Sequence, residues 1–232
     1  MRIFWLNLAS FALVVIVNSL ANALPLNGQT TGDISNKVNV LFTPAGYVFS
    51  IWGVIYFLLF IWLLRGYKPS PIDRKVHVPF LFSCLFNAGW IFLWHYEFFT
   101  LSIFTIVALL ISLIIIYTRV ERERFDFWDR FPFSIYLGWV SVAVIANISF
   151  TLTYYNWDGF GISAVVWTLI LIGATAALAI GFRFAHRDRI YPLVFVWALS
   201  GIAVRNWTGE PMIAYAAAAA ALLVLLSSLR KK

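Results

Sequence analysis

Charge is what this chain has least of. Charged residues make up 12% of its 232 residues, against about a quarter in soluble globular proteins, and that excludes an ordinary soluble domain. There is one cysteine, Cys84, set inside an apolar run. No intramolecular disulfide can form, cysteine usage carries no signal about redox compartment, and the thiol reads as a small packing residue. Ionisable side chains are nearly missing from the apolar runs: His95, Glu97, Arg205 and Glu210 all fall near predicted helix ends. No carboxylate pair, no cluster with metal-ligand spacing and no nucleophile–base pair stands out. An ion pump or an intramembrane hydrolase is disfavoured, and the sequence nominates neither catalytic nor metal-ligating residues.

Apolar length is what the chain has most of: 62% of it is hydrophobic. The runs cover residues 3–23, 46–64, 78–94, 101–118, 132–153, 159–182, 191–204 and 211–229. Most approach the ~20 residues that cross a bilayer core as a helix. Basic residues collect in alternate gaps: Arg2, then Arg65, Lys68, Arg74 and Lys75, then Arg119, Arg122, Arg124 and Arg130. Arg183, Arg187 and Arg189 follow, and Arg230, Lys231 and Lys232 close the chain. Only Lys37 and Arg205 of the 17 Lys and Arg fall in the other gaps. By the positive-inside rule both termini are cytoplasmic. The expectation is an all-α multi-pass protein of the cell membrane with about eight transmembrane helices. Its formal charge of +7 is explained by orientation and anionic lipid headgroups rather than by nucleic acid. Arg2, the apolar stretch after it and Ala21-Asn22-Ala23 also fit a signal peptide; cleavage there would leave seven spans.

The longest segment on the non-cytoplasmic side, residues 24–44, is rich in turn formers (Pro25, Asn27, Gly28, Gly32, Asp33). It reads as a solvated linker, or else as a lid over a cavity opening on that face. Residues 119–130 alternate Arg with Glu121, Glu123, Asp126 and Asp129, which reads as a charge-offset helical extension. The alanine run 216–221 in the last span is a candidate close-packing or homodimer surface.

The interior holds aromatic surface with a few amides. Trp5, Trp62, Trp128, Trp157 and Trp207 fall near span ends and fit an interfacial belt. Trp52, Trp90, Trp139, Trp167 and Trp197 lie deeper. Span two carries Trp52 and Tyr56 one turn apart. Span three carries Ser83, Asn87, Trp90 and Trp94 at helical spacing, and span five carries Tyr136, Trp139, Ala143 and Asn147. An amide in hydrocarbon needs a partner, so Asn87 and Asn147 should face protein or a polar cavity. Two readings stay open on spacing alone: packing glue between helices, or a flat amphipathic slot for a ligand.

These stripes carry a family resemblance. Residues 42–56 read FTPAGYVFSIWGVIY, residues 87–90 Asn-Ala-Gly-Trp, and residues 136–139 Tyr-Leu-Gly-Trp with Ala143 and Asn147 following. In order and on the right helices, they resemble the tryptophan-rich sensory protein (translocator protein) family. The resemblance covers about residues 3–153. It implies a five-helix bundle over residues 1–155 with an internal pocket for porphyrins or haem-like flat ligands, and it leaves residues 156–232 as a three-helix extension. By motif position, the ligand-binding residues implied are Trp52, Tyr56, Asn87, Trp90, Tyr136, Trp139, Ala143 and Asn147. No cofactor is required by it. The pattern departs at Ile135, where the family has proline, and after Asn147, where Tyr154 and Tyr155 lead into Asn156, Trp157 and Asp158 without the basic residue of a sterol motif. Three functions compete: a ligand-binding sensor or regulator, a transporter of such ligands, and a light-dependent porphyrin-degrading enzyme. The expected partners are a small hydrophobic ligand, membrane lipids and a second copy of the chain in a homodimer.

Overall fold

The computed structural model describes residues 2–23, 26–65, 74–123 and 126–230. Lys68, Arg124, Lys231 and Lys232 of the basic set, and Leu24 and Pro25 of the polar segment, lie outside the described residues. Every one of the eight apolar runs is helical, and no strand occurs among the described residues. In chain order the helices are α1 (Arg2–Ala23), a short α2 (Thr31–Ser35), α3 (Ile51–Arg65), α4 (Arg74–His95), α5 (Phe99–Arg122), α6 (Phe127–Tyr154), α7 (Ala164–His186), α8 (Ile190–Asn206) and α9 (Pro211–Leu229). Among the described residues seven apolar helical spans are long enough to cross a membrane, α3 only together with the 3-10 turn Gly46–Ser50 that leads into it (20 residues); α8, with 17 residues, falls short of the others. At 1.5 Å per residue it reaches about 25 Å, at the lower limit for a span.

The helices fall into two compact units, Met1–Lys37 with Trp52–Val140, and Val38–Ile51 with Ser141–Lys232. In the first, α1 packs on α4 and α4 on α5. Asn7 Nδ2 meets His77 Nδ1 at 2.6 Å and Asn18 Nδ2 donates to Asn87 Oδ1 at 3.0 Å. Eleven residues along α1 thus match ten along α4, so the two helices run parallel, as spans one and three must if the chain alternates sides. The connection from α4 to α5 is three residues long and makes a tight hairpin. Phe98 N–H donates to Leu93 O (2.9 Å) and Glu97 N–H to Trp94 O (3.2 Å), which closes α4 with a left-handed C-terminal cap at Glu97 (φ 63°). Glycine normally fills that position. α6 ends the same way on Asn156 (φ 53°), a residue that tolerates it.

In the second unit α9 packs on α8 and α7. The inward face of α9 is Ile213, Ala214, Ala217, Ala220, Ala221 and Val224, all buried. Part of the alanine run therefore serves packing inside the chain, where small side chains let backbones approach. Tyr191 stacks on Phe182 with ring centroids 3.7 Å apart and donates its hydroxyl to Ser141 Oγ at 3.0 Å. Arg183, buried in the last turn of α7, donates to the Arg230 carbonyl that ends α9 (3.1 Å).

The polar segment before α3 is not a solvated linker. Its first part docks on the end of α4. Asn27 Nδ2 donates to His95 O at 3.1 Å, Gln29 Nε2 donates to Glu97 Oε1 at 3.3 Å, and Lys37 pairs with Glu97. Its second part is buried within the other unit, with Val40, Phe42, Thr43 and Val48 each at most 5% exposed. α8 supplies the backbone partners: Trp197 Nε1 donates to Val48 O (3.0 Å), Asn206 Nδ2 to Leu41 O (2.9 Å), and Ala45 N–H to Gly201 O (3.1 Å). Gly201 is needed there, because a Cβ would meet the Val48 side chain and lie 3.1 Å from Pro44 Cβ. Turn-forming composition gave the linker reading. Burial came from an anchor about 150 residues away.

Candidate functional site

The site belongs to the first unit and is centred on Trp52, in the first turn of α3. Tyr56 lies one turn on, and its ring stacks on Trp52 at 5.6 Å and 19°. From α4, Trp90 approaches Trp52 at 6.1 Å; from α6, Tyr136 and Trp139 meet it edge-on at 6.0 and 6.2 Å. Edge-to-face and offset contacts at these separations are the favoured aromatic geometries. Trp90 continues to Trp94 at 6.2 Å, and Trp94 to Phe99.

Under this aromatic cluster lies a hydrogen-bonded amide. Asn87, fully buried, donates through Nδ2 to the Tyr136 hydroxyl at 2.7 Å, and its Oδ1 accepts from Asn18 Nδ2 at 3.0 Å and from the Tyr56 hydroxyl at 3.4 Å. One amide thereby ties α1, α3, α4 and α6 together, which is how an amide is accommodated among apolar helices. Every side chain in the circuit is neutral.

Trp52, Tyr56, Asn87, Trp90, Tyr136 and Trp139, six of the residues that spacing and resemblance selected, come together here. Ala143 and Asn147 follow on α6 one and two turns beyond Trp139, within the second unit, where Asn147 is buried and Ala143 half-buried. Sequence reasoning missed two neighbours on α1: Asn18, and Phe11, whose ring lies 6.5 Å from that of Tyr56. The signal was available, because Asn7, Ser10, Phe11, Val14 and Asn18 share one helical face and all are buried.

Three tryptophans depart from expectation. Trp62 is not an interfacial belt residue: it is 2% exposed and packs among His77, Phe80 and Phe133 at 6.2, 5.1 and 4.9 Å. Trp167 and Trp197, read as deep, bond loop backbone instead, Trp167 Nε1 donating to Gly159 O at 2.9 Å and Trp197 to Val48 O. A helix-end position alone did not say which way each indole would turn.

The cluster offers one accessible side. Trp90, Tyr136 and Trp139 are buried, whereas Trp52 and Tyr56 are half-buried and form a flat aromatic ledge. Their 5.6 Å ring separation is too small for a third ring between them, since two stacking gaps need about 7 Å at van der Waals contact of ~3.5 Å each. A flat ligand would have to lie on the ledge or displace one ring. In the second unit an open groove of about 330 Å³ runs along α8 and α9, walled by small apolar side chains such as Ala203, Ala218 and Leu222 with the Ser200 hydroxyl. It lacks aromatic surface.

The family model described as TSPO-like protein matches residues 4–230, so the match also takes in α7, α8 and α9, which the sequence motifs had not reached. No curated protein and no solved structure matches the chain.

Proposed function

Because the chain belongs to the TSPO-like protein family, an integral membrane family, we propose that this multi-pass protein binds a flat hydrophobic ligand of porphyrin type on the Trp52–Tyr56 ledge and acts as a sensor or regulator. The observation that carries this is the pairing of a half-open indole–phenol stack with the buried amide circuit of Asn18, Asn87, Tyr56 and Tyr136. Stacking supplies affinity for any π-face, and a few fixed polar groups supply orientation. The packed cluster also suits sensing rather than passage. A ligand that stacks on Trp52 disturbs a ring in contact with α4 and α6 at once, so occupancy is converted into a shift between helices. In this reading both termini face the cytoplasm, and the ligand comes from the membrane or its surface.

The test is titration of the purified protein in detergent with protoporphyrin IX, followed by tryptophan quenching. Stacking on an aromatic side chain contributes ~1–3 kcal/mol, so Trp52→Leu should raise Kd by roughly 5- to 150-fold at ~1.4 kcal/mol per tenfold. Trp207→Leu, at an exposed position beyond α8, should leave Kd unchanged. Equal affinity in the wild type and Trp52→Leu, with both proteins folded, would overturn the proposal.

A further inference from the structure

The groove along α8 and α9 takes no part in the aromatic site and lies wholly within the second unit. Its α8 wall is Val196, Ser200 and Ala203, and its α9 wall includes Ala218, Leu222 and Leu225. Val196 to Ala203 is two helical turns, about 10 Å at 1.5 Å per residue. Two turns of a facing helix, ~10 Å across, would occupy roughly 800 Å³, more than twice the groove's volume of about 330 Å³. The groove therefore suits a single extended hydrocarbon chain and is too small for a helix.

The α8 wall continues in register past both ends of the groove. Arg189, Leu193, Val196, Ser200, Ala203 and Trp207 follow one another at spacings of four and three, so they share one helical face. Arg189 and Leu193 are exposed, as is Leu229, one turn past Leu225 on α9. At the opposite end Trp207 meets Tyr215 edge-on at 5.8 Å. Arg189 to Ala203 spans about 21 Å at 1.5 Å per residue. That is one leaflet, half of the ~40–45 Å of a bilayer with its headgroups. A lipid with its headgroup at Arg189 would lay its chain in the groove.

Charge at the Arg189 end has one sign. Arg187 and Arg189 are exposed in the turn from α7 to α8, and Arg230 is exposed at the end of α9. Asp188 is the only acidic residue from Ser163 to Asn206, and α9 has none. It is turned inward: the side chain is buried, and its Oδ1 accepts from the Ile190 and Tyr191 N–H groups at 2.7 and 3.2 Å. The acid thereby caps α8 and leaves the arginines to dominate the surface.

We infer that this groove holds one acyl chain of an anionic glycerophospholipid, with the phosphate on Arg189 and Arg187. The chain contacts are the same for any phospholipid, so the sign of the headgroup makes the selection. A zwitterionic headgroup brings its own cation to the arginines and gains less from them.

The experiment is native mass spectrometry of the full-length protein in detergent, titrated separately with dioleoylphosphatidylglycerol and dioleoylphosphatidylcholine. It reads the dissociation constant of the first lipid bound. Phosphatidylglycerol should bind the wild type at least about 5-fold more tightly, since one basic residue near an anionic headgroup contributes ~1 kcal/mol and ~1.4 kcal/mol is tenfold. Arg189→Gln should weaken phosphatidylglycerol about 5-fold and leave phosphatidylcholine unchanged. Ala218→Phe, which sets a ring in the groove, should weaken both lipids. Arg189 and Ala218 are both exposed, so neither substitution disturbs the core. Arg122→Gln, at the end of α5 in the other unit, is the control and should change neither affinity. Equal affinity of the wild type for the two lipids, or a loss in Arg122→Gln as large as in Arg189→Gln, overturns the headgroup assignment. Unchanged affinities in Ala218→Phe overturn the groove. A wild-type dimer that Ala218→Phe dissociates, with no preference between the lipids, gives the groove to a second copy of the chain and overturns the lipid.

Discussion

Replacing Asn87 by Leu tests how much of the first unit hangs on one amide. The substitution keeps side-chain size and adds apolar surface, so packing alone predicts a neutral or stabilising outcome. The structure predicts the reverse. Asn87 is fully buried, and its removal deprives Asn18 Nδ2, the Tyr136 hydroxyl and the Tyr56 hydroxyl of partners at 3.0, 2.7 and 3.4 Å. Interhelical hydrogen bonds in membranes average about 0.6 kcal/mol and reach about 1.7, and a buried polar group left without a partner costs about 1–3 kcal/mol. Two good bonds lost and one amide hydrogen left unpaired, offset by the gain from the leucine, give a destabilisation of about 2–3 kcal/mol on those scales. Equilibrium unfolding in mixed detergent–SDS micelles would measure it. Ser112→Ala is the control, because among the described residues that hydroxyl bonds to Ala108 O of its own helix and to no other helix, and about 0.5 kcal/mol or less is expected. The double substitution Asn18→Leu with Asn87→Leu should cost less than the sum of the singles, since it removes the unpaired amide. An Asn87→Leu protein within about 0.5 kcal/mol of wild type, the usual spread of neutral changes, would refute the view that this amide ties four helices together.

Trp62→Leu, which a belt residue would tolerate, should lower stability by about 2–3 kcal/mol, because the indole fills a site between α3, α4 and α6 and its loss leaves a cavity; the same unfolding assay checks it. Glu97→Gly removes a left-handed non-glycine residue and should relieve about 1 kcal/mol of backbone strain while releasing Gln29 and Lys37. Hydrogen exchange in residues 26–37 should therefore speed up even as the α4–α5 hairpin is unharmed, and unchanged exchange would contradict the docking role. Cysteines placed at Lys37 and Arg205 should label from the non-cytoplasmic side, and those at Arg122 and Arg187 from the cytoplasmic side; label at Arg205 from the same side as Arg187 would show that α8 does not cross.

The helices were legible because a membrane imposes them: apolar runs near span length have few alternatives to helix. The alternation of basic residues predicted directions that the parallel pairing of α1 with α4 matches. Trp52, Asn87 and Tyr136 were legible as stripes because a polar side chain in an apolar helix must find a partner. Asn18 was not singled out, although it obeys the same rule on α1. The burial of residues 38–51 could not be read locally, since it depends on Trp197, Gly201 and Asn206 of a distant helix. Trp62, Trp167 and Trp197 show the limit of position along a span: whether an indole turns inward or caps a loop is decided by neighbours from other helices.

The central claim is that Trp52 lies against the bound ligand, and 19F NMR of protein carrying 5-fluorotryptophan tests it directly, with each resonance assigned by Trp→Phe substitution. On adding protoporphyrin IX, the Trp52 resonance should show the largest ring-current shift, Trp90 and Trp139 smaller ones, and Trp197 and Trp207 none. A Trp52 resonance that stays in place while Trp167, Trp197 or Trp207 moves would put the ligand elsewhere and contradict the account.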